Sequence, residues 1–203
     1  MQAYFVPAAP VTEMTEIKKS RFITLLAPTR GIESAKAFIR QAREQYASAT
    51  HHCWAYIAGP PWDLAQCGSS DDGEPSGTAG RPMLAQLQGA GIGEITAVAV
   101  RYFGGIKLGT GGLVRAYGGG VRQALTLLTR VEIVPQVEFV VFCRYEQQSW
   151  VESLLKHVAG QIIQSDYGES VKIRLAIPYD KVTEAGQKLS DISRGALQLM
   201  TIT

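Results

Sequence analysis

The stretch "EITAVAVRYFGGIKLGTGGLVRAYGGGVRQALTLL", residues 94–128, changes its periodicity half-way, and the change decides how the first part of the chain is built. From Ile95 to Val100 the run is almost continuously apolar, as a strand covered on both faces must be. Beyond the glycines, Leu113, Tyr117, Val121, Ala124 and Leu128 recur at helical spacing, with Arg115 and Arg122 on the opposite face. Between strand and helix, "GGIKLGTGG" (residues 104–112) is a turn, and Thr110 is placed to act as the N-cap. Gly118, Gly119 and Gly120 sit inside the helix, where each costs about 1 kcal/mol relative to Ala. That cost requires close approach of another backbone or a ligand, and Gly119 is expected to need it.

Working outward, "EIKKSRFITLLA" (residues 16–27) alternates Ile17, Ile23 and Leu25 with polar neighbours and reads as one strand. "GIESAKAFIRQAREQY" reads as an amphipathic helix and "HHCWAYIAG" as a strand closed by Gly59, Pro60 and Pro61. "CGSSDDGEPSGTAGRP", residues 67–82, is too broken for either element and reads as a long loop, a type of segment that is often functional. "MLAQLQGAG" is a short helix. The character changes near residues 134–137: fifteen of the 21 glycines lie between Gly68 and Gly120, and four follow Pro135. The tail reads strand "VEFVVFCRY", helix "QQSWVESLLKHV", strand "QIIQSDY", strand "ESVKIRLAI", helix "DKVTEAGQKLSDIS" and strand "ALQLMTI". That order, βαββαβ, is the ferredoxin-like split pattern, with "DYGES" as the hairpin turn. We therefore expect an α+β protein of two domains, residues 1–135 and 136–203.

With 203 residues, either part can bury a core. A net charge of +2 demands no polyanion by itself, so a nucleic-acid partner would need a local patch. The excess is in the first domain, with 13 Lys/Arg against 10 Asp/Glu, whereas the tail has 7 against 8. Three widely spaced cysteines (Cys53, Cys67 and Cys143) read as free thiols of a reducing cytosol. No segment is apolar for long enough to span a membrane, and the N-terminus lacks the features of a signal peptide. A cytoplasmic protein with no membrane partner is expected.

Three places could carry chemistry. Backbone N–H groups at the start of a helix bind anions, so Arg101, Lys107 and Arg115 together with Gly105, Gly109, Thr110 and Gly111 form a candidate anion or nucleic-acid site. The same stretch is also readable as a tight turn and nothing more. It matches neither the phosphate-loop pattern nor a dinucleotide turn, so no cofactor is expected. Arg101, Tyr102, Phe103, Lys107, Arg115 and Tyr117 interleave cations with aromatics, as on surfaces that contact phosphates and stack bases. Tyr117, however, lies on the apolar stripe of the helix.

Asp71, Asp72 and Glu74 form an acidic loop. It could hold a hard cation, remain a solvated turn, or pair with Arg101 or Arg115 and shape a cleft. On a strand, His51 and Cys53 share one side and His52 takes the other. With His157 the only further histidine, the ligands are too few for zinc, and Cys53 reads as a buried thiol. Neither catalytic residues nor a metal site are expected.

"KKSRF", "HHCWAY", "DDGEPSGTAGRPML" and "VRYFGGIKLGTGGLVRAYGGG" together resemble the IMPACT family, in its bacterial YigZ-like branch. The resemblance covers essentially the whole chain. It implies a first domain folded like the second domain of a small-subunit ribosomal protein and like domain IV of elongation factor G. The galactokinase-type kinases share that fold. It also implies a ferredoxin-like second domain. Eukaryotic members regulate translation in the stress response to amino-acid starvation, through an added N-terminal domain that this sequence lacks. The function implied here is a translation-associated regulatory or binding factor that contacts RNA or the ribosome, with a possible protein partner in translation control. Two alternatives are an enzyme handling a nucleotide or a phosphorylated metabolite on the galactokinase-like fold, and a protein–protein adaptor without nucleic-acid contact.

Overall fold

The computed structural model describes residues 2–202. The chain divides into two compact units, one of residues 4–133 and one in which residues 2–3 join those from Val134 to the end of the described chain.

In the first unit, strands β2 (Val11–Ile17), β3 (Ser20–Pro28), β4 (His51–Ile57), β5 (Cys67–Ser70) and β6 (Ile95–Tyr102) form an antiparallel sheet in the order β2-β3-β6-β4-β5. Helix α1 (Ile32–Gln45) covers one face; α2 (Gly80–Ala90) and α3 (Thr110–Thr126) cover the other. Burial on both faces explains why β6 is apolar along most of its length. Ile95, Ala97 and Ala99 pack with Met83, Leu87, Leu113, Tyr117 and Val121 of α2 and α3. Val98 and Val100 pack with Ala35, Ile39 and Ala42 of α1. Strands β1 (Tyr4–Pro7) and β7 (Arg130–Ile133) form a separate antiparallel ribbon.

Several local expectations are corrected. Residues 16–27 are not one strand: β2 and β3 form a hairpin around a two-residue turn, Lys18–Lys19, with Ile17 opposite Ser20. Both lysines have positive φ, 48° and 63°, the conformation that two-residue hairpins require and that Gly or Asn usually supplies. Two lysines in a turn carry no such signal in the sequence. The loop expected over 67–82 contains strand β5, and α2 begins at Gly80, ahead of the expected "MLAQLQGAG". A Cβ on Gly80 would lie 2.7 Å from the backbone nitrogen of Ser70, so the helix starts where it touches the edge strand.

The N-cap of α3 is Gly109 (φ 76°, ψ 163°) and Thr110 is its first residue. A threonine would be strained in that left-sided conformation. Gly119 is not the glycine of close approach: nothing lies within 4 Å of the place its Cβ would take. At Gly120 the Thr24 hydroxyl lies 2.6 Å away, and Gly118 has only an ordinary contact with Pro82.

The second unit contains β8 (Gln136–Cys143), α4 (Gln148–Val158), β9 (Gln161–Tyr167), β10 (Val171–Pro178), α5 (Val182–Ser193) and β11 (Met200–Thr201). Its antiparallel sheet has the order β11-β8-β10-β9, the ferredoxin-like arrangement. Val141, Ile173 and Leu175 of the sheet pack with Val151, Leu154 and Leu155 of α4 and with Leu189 of α5. The expected strand over residues 196–202 is reduced to Met200–Thr201. The Leu197 N–H donates to Ser193 Oγ at 3.0 Å instead of to a neighbouring strand, and its side chain enters the core.

Candidate nucleic-acid interface

The acidic loop is not free, because each of its carboxylates is hydrogen-bonded within the fold. Asp71 accepts the N–H groups of Gly77, Ala79 and Gly80 at 2.8, 2.9 and 2.9 Å. It thereby caps α2, whose own N-cap residue Ala79 has no side-chain acceptor and whose first turn has no acid. Burial opposes the charge of Asp71, but the three N–H donors prevail and hold its carboxyl below the ordinary value. Asp72 accepts the His52 N–H at 2.7 Å and Arg43 Nη2 at 2.6 Å. Glu74 Oε1 accepts both Arg101 Nη1 (2.6 Å) and the Tyr117 hydroxyl (2.7 Å) in the interior.

The "HHC" strip of β4 is the other half of this dock. His51 Nδ1 donates to the Asp72 carbonyl at 2.8 Å, and Cys53 Sγ donates to the Asp71 carbonyl at 3.0 Å. Both lie on one side of the strand. His52, on the other side, donates from Nε2 to the Tyr46 carbonyl at the end of α1. Burial, reinforced by Glu74, Asp72 and Asp71, pushes the Cys53 thiol up to about 12, which leaves it protonated near neutral pH. Burial likewise raises the Tyr117 hydroxyl, with Cys53 and Glu74 adding to it. No cluster of three His, Cys, Asp or Glu side chains placed to hold a metal occurs among the described residues.

Arg101 is a correction to the expected cationic surface. It is 5% exposed, and its guanidinium lies 5.5 Å from the ring centres of both Phe22 and Phe103. β6 alternates, so Arg101 points to the α2–α3 side, where the acidic loop meets it. Its Nη2 also donates to Ser20 Oγ at 3.3 Å. Arg101 fixes the floor beneath the glycine turn instead of standing on the rim.

Above that floor, Gly105, Lys107, Gly109, Thr110 and Gly111 are exposed, as are Phe103 and Ile106. The first turn of α3 has no acid and no side-chain cap, so the N–H groups of Thr110, Gly111 and Gly112 lack helical acceptors. Arg115 is exposed, and its Nη1 lies 3.8 Å from the place a Gly111 Cβ would take. It also lines a groove between α2 and α3 together with Gly118, Gly119 and Arg122. Gly104 lies so close to the Lys19 carbonyl that a Cβ there would overlap it. The Lys18–Lys19 turn is therefore continuous with the glycine turn.

Lys107 thus lines one cavity with Gly109 and Thr110 at the α3 N-terminus, Arg115 stands beside Gly111, and the Lys19 backbone meets Gly104 at the start of the turn, with Arg101 beneath it. Nothing in the local sequence beyond the "KKSRF" stretch marks the two turn lysines for a role, since a hairpin turn made of two lysines is invisible to turn chemistry.

Comparison with known proteins adds the lineage. The Impact N-terminal domain matches residues 18–125, and a domain of unknown function (DUF1949) matches residues 141–196. The chain is 57% identical over 202 residues to the IMPACT family member YigZ of Escherichia coli (strain K12), covering 100% of this chain and 99% of that protein. The chain belongs to the IMPACT family. An IMPACT family member of Haemophilus influenzae is 45% identical over 202 residues, covering 100% of this chain and 98% of that protein. The family member YvyE of Bacillus subtilis is 32% identical over 195 residues, covering 96% and 89%. A solved structure described as a hypothetical protein matches with a TM-score of 0.72 at 57% identity, covering 100% of this chain and 98% of that one. Among the described residues, no helix is long and apolar enough to cross a membrane.

Proposed function

We propose that this IMPACT family member is a translation-associated binding factor of the cytoplasm that contacts RNA, on the ribosome or free, through the surface around the glycine turn. The observation that carries the proposal is the α3 N-terminus. Its N–H groups are unclaimed by any side-chain cap, no acid stands in its first turn, and Lys107 and Arg115 are exposed beside it. Such a terminus attracts anions through aligned N–H groups and the helix dipole. Lys18 and Lys19 extend the positive surface on one side, and Arg122 extends it along the α2–α3 groove on the other. The nearby acids do not oppose it, because Asp71 and Glu74 are already bound to backbone N–H groups and to Arg101. A track of several cations with a glycine floor suits a repeating phosphate backbone better than one small anion.

Co-sedimentation with ribosomal subunits at low salt tests the proposal. Wild type is expected to pellet with a subunit. The Lys107→Gln/Arg115→Gln variant, changed only at exposed positions, is expected to stay largely in the supernatant. Equal pelleting of the two proteins would overturn it, and so would a wild type that binds neither the subunits nor a single-stranded RNA.

A further inference from the structure

A cavity of about 360 Å³ opens beside the α3 N-terminus, lined by Glu74, Arg101, Phe103, Lys107, Leu108 and Leu113 among others. From this geometry we infer that it is a pocket for one nucleotide unit, with the phosphate at Lys107 and the first turn of α3 and the base against Phe103. The inference rests on the RNA-contact reading of the same surface and specifies what the surface holds.

Three observations lead to it. The size falls within the range of small-molecule sites, roughly 300–1,000 Å³. The chemistry of the walls is mixed. Lys107 and the unclaimed N–H groups at the start of α3 line the cavity together with the apolar side chains of Phe103, Leu108, Leu113 and Pro75. Inorganic phosphate or a sugar phosphate would leave these apolar side chains unused, whereas a flat base covers them and stacks on the exposed Phe103 ring. Finally, Arg101 Nε is a buried nitrogen with no hydrogen-bond partner, on a side chain that lines this cavity. A buried N–H donor without an acceptor is costly and rare in folded proteins. Nη1 is held by Glu74 and Nη2 by Ser20, so Nε is the donor of this guanidinium left without an acceptor beside the cavity. The unit could come from a free nucleotide or from an RNA strand, and the experiment separates these sources.

Equilibrium binding to the full chain is measured for the four 5′-nucleoside monophosphates, ribose 5-phosphate, inorganic phosphate and a single-stranded ten-nucleotide RNA. Phe103→Ala and Lys107→Gln, both at exposed positions, are carried alongside, with thermal midpoints as a check on folding. At least one nucleotide should bind saturably, about tenfold or more tighter than ribose 5-phosphate or phosphate. Each variant should weaken that binding about tenfold while keeping its thermal midpoint. Nucleotides binding no better than phosphate, or equally well to Phe103→Ala, would overturn the inference. RNA binding without any mononucleotide binding would also overturn it, yet leave the RNA-contact reading standing. Mononucleotide binding without RNA binding would support the pocket and remove the RNA reading.

Discussion

Arg101 shows how one side chain changes meaning between sequence and structure. In the sequence it is a cation next to two aromatics, indistinguishable from Lys107. In the structure its partner Glu74 comes from a loop 27 residues earlier, and both side chains are buried. Removing one member of a buried ion pair strands the other's charge, which costs about 3–5 kcal/mol. Arg101→Gln should therefore lower stability by about that much, and so should Glu74→Gln. The double variant should cost clearly less than their sum, and chemical denaturation of the four proteins measures the difference. Asp71 makes a second prediction at this scale. Its folded-state pKa is depressed, so its contribution is complete above the ordinary carboxyl value near 4 and disappears as pH falls through the folded value. Asp71→Asn keeps one acceptor oxygen for Ala79 and Gly80 but loses the one that takes the Gly77 N–H, together with the charge. It should destabilise by about 1–3 kcal/mol near neutral pH. The gap from wild type should close as unfolding is followed down toward about pH 2. A gap that does not change with pH would mean the carboxylate charge contributes nothing.

At the level of elements, periodicity was enough wherever burial is regular. The alternation of β6, the apolar stripe of α3 and the βαββαβ order of the tail could all be read directly. Elements set by tertiary partners were not legible. The Lys18–Lys19 turn adopts positive φ without the usual residues, and β5 pairs with β4 although "CGSS" has no strand pattern. The glycines of α3 could be seen as costly, but that Gly120 is the one with a close neighbour depends on Thr24, across the fold. Gly119→Ala should accordingly stabilise the protein by about 1 kcal/mol, since the helix gains propensity and no neighbour is met. Gly80→Ala should destabilise it by about 1–3 kcal/mol, because the new methyl group meets the Ser70 backbone. Thermal denaturation of the two variants should move the midpoint in opposite directions.

For the whole molecule, the two compact units each have their own buried cluster, one around Phe22, Ile57 and Tyr117, the other around Val141, Leu154 and Ile173. We propose that residues 1–135 and 136–203 each fold alone. Both pieces should show cooperative unfolding by circular dichroism, and two unfolded pieces would refute this. The proposed anion surface was only partly legible. The sequence pointed to Lys107, Arg115 and the glycine turn, but not to the lysine turn beside them or to the withdrawal of Arg101 into the floor. The central claim is that this surface binds RNA phosphate, and a salt titration of binding to ribosomal subunits tests it most directly. Log affinity should fall linearly with log salt, and removing one cation–phosphate interaction should flatten the slope by about 0.7 on single-stranded RNA. The Lys107→Gln/Arg115→Gln variant should therefore have a slope shallower by about 1.4 with an unchanged thermal midpoint. Identical slopes for the two proteins, or no binding by wild type at low salt, would contradict it.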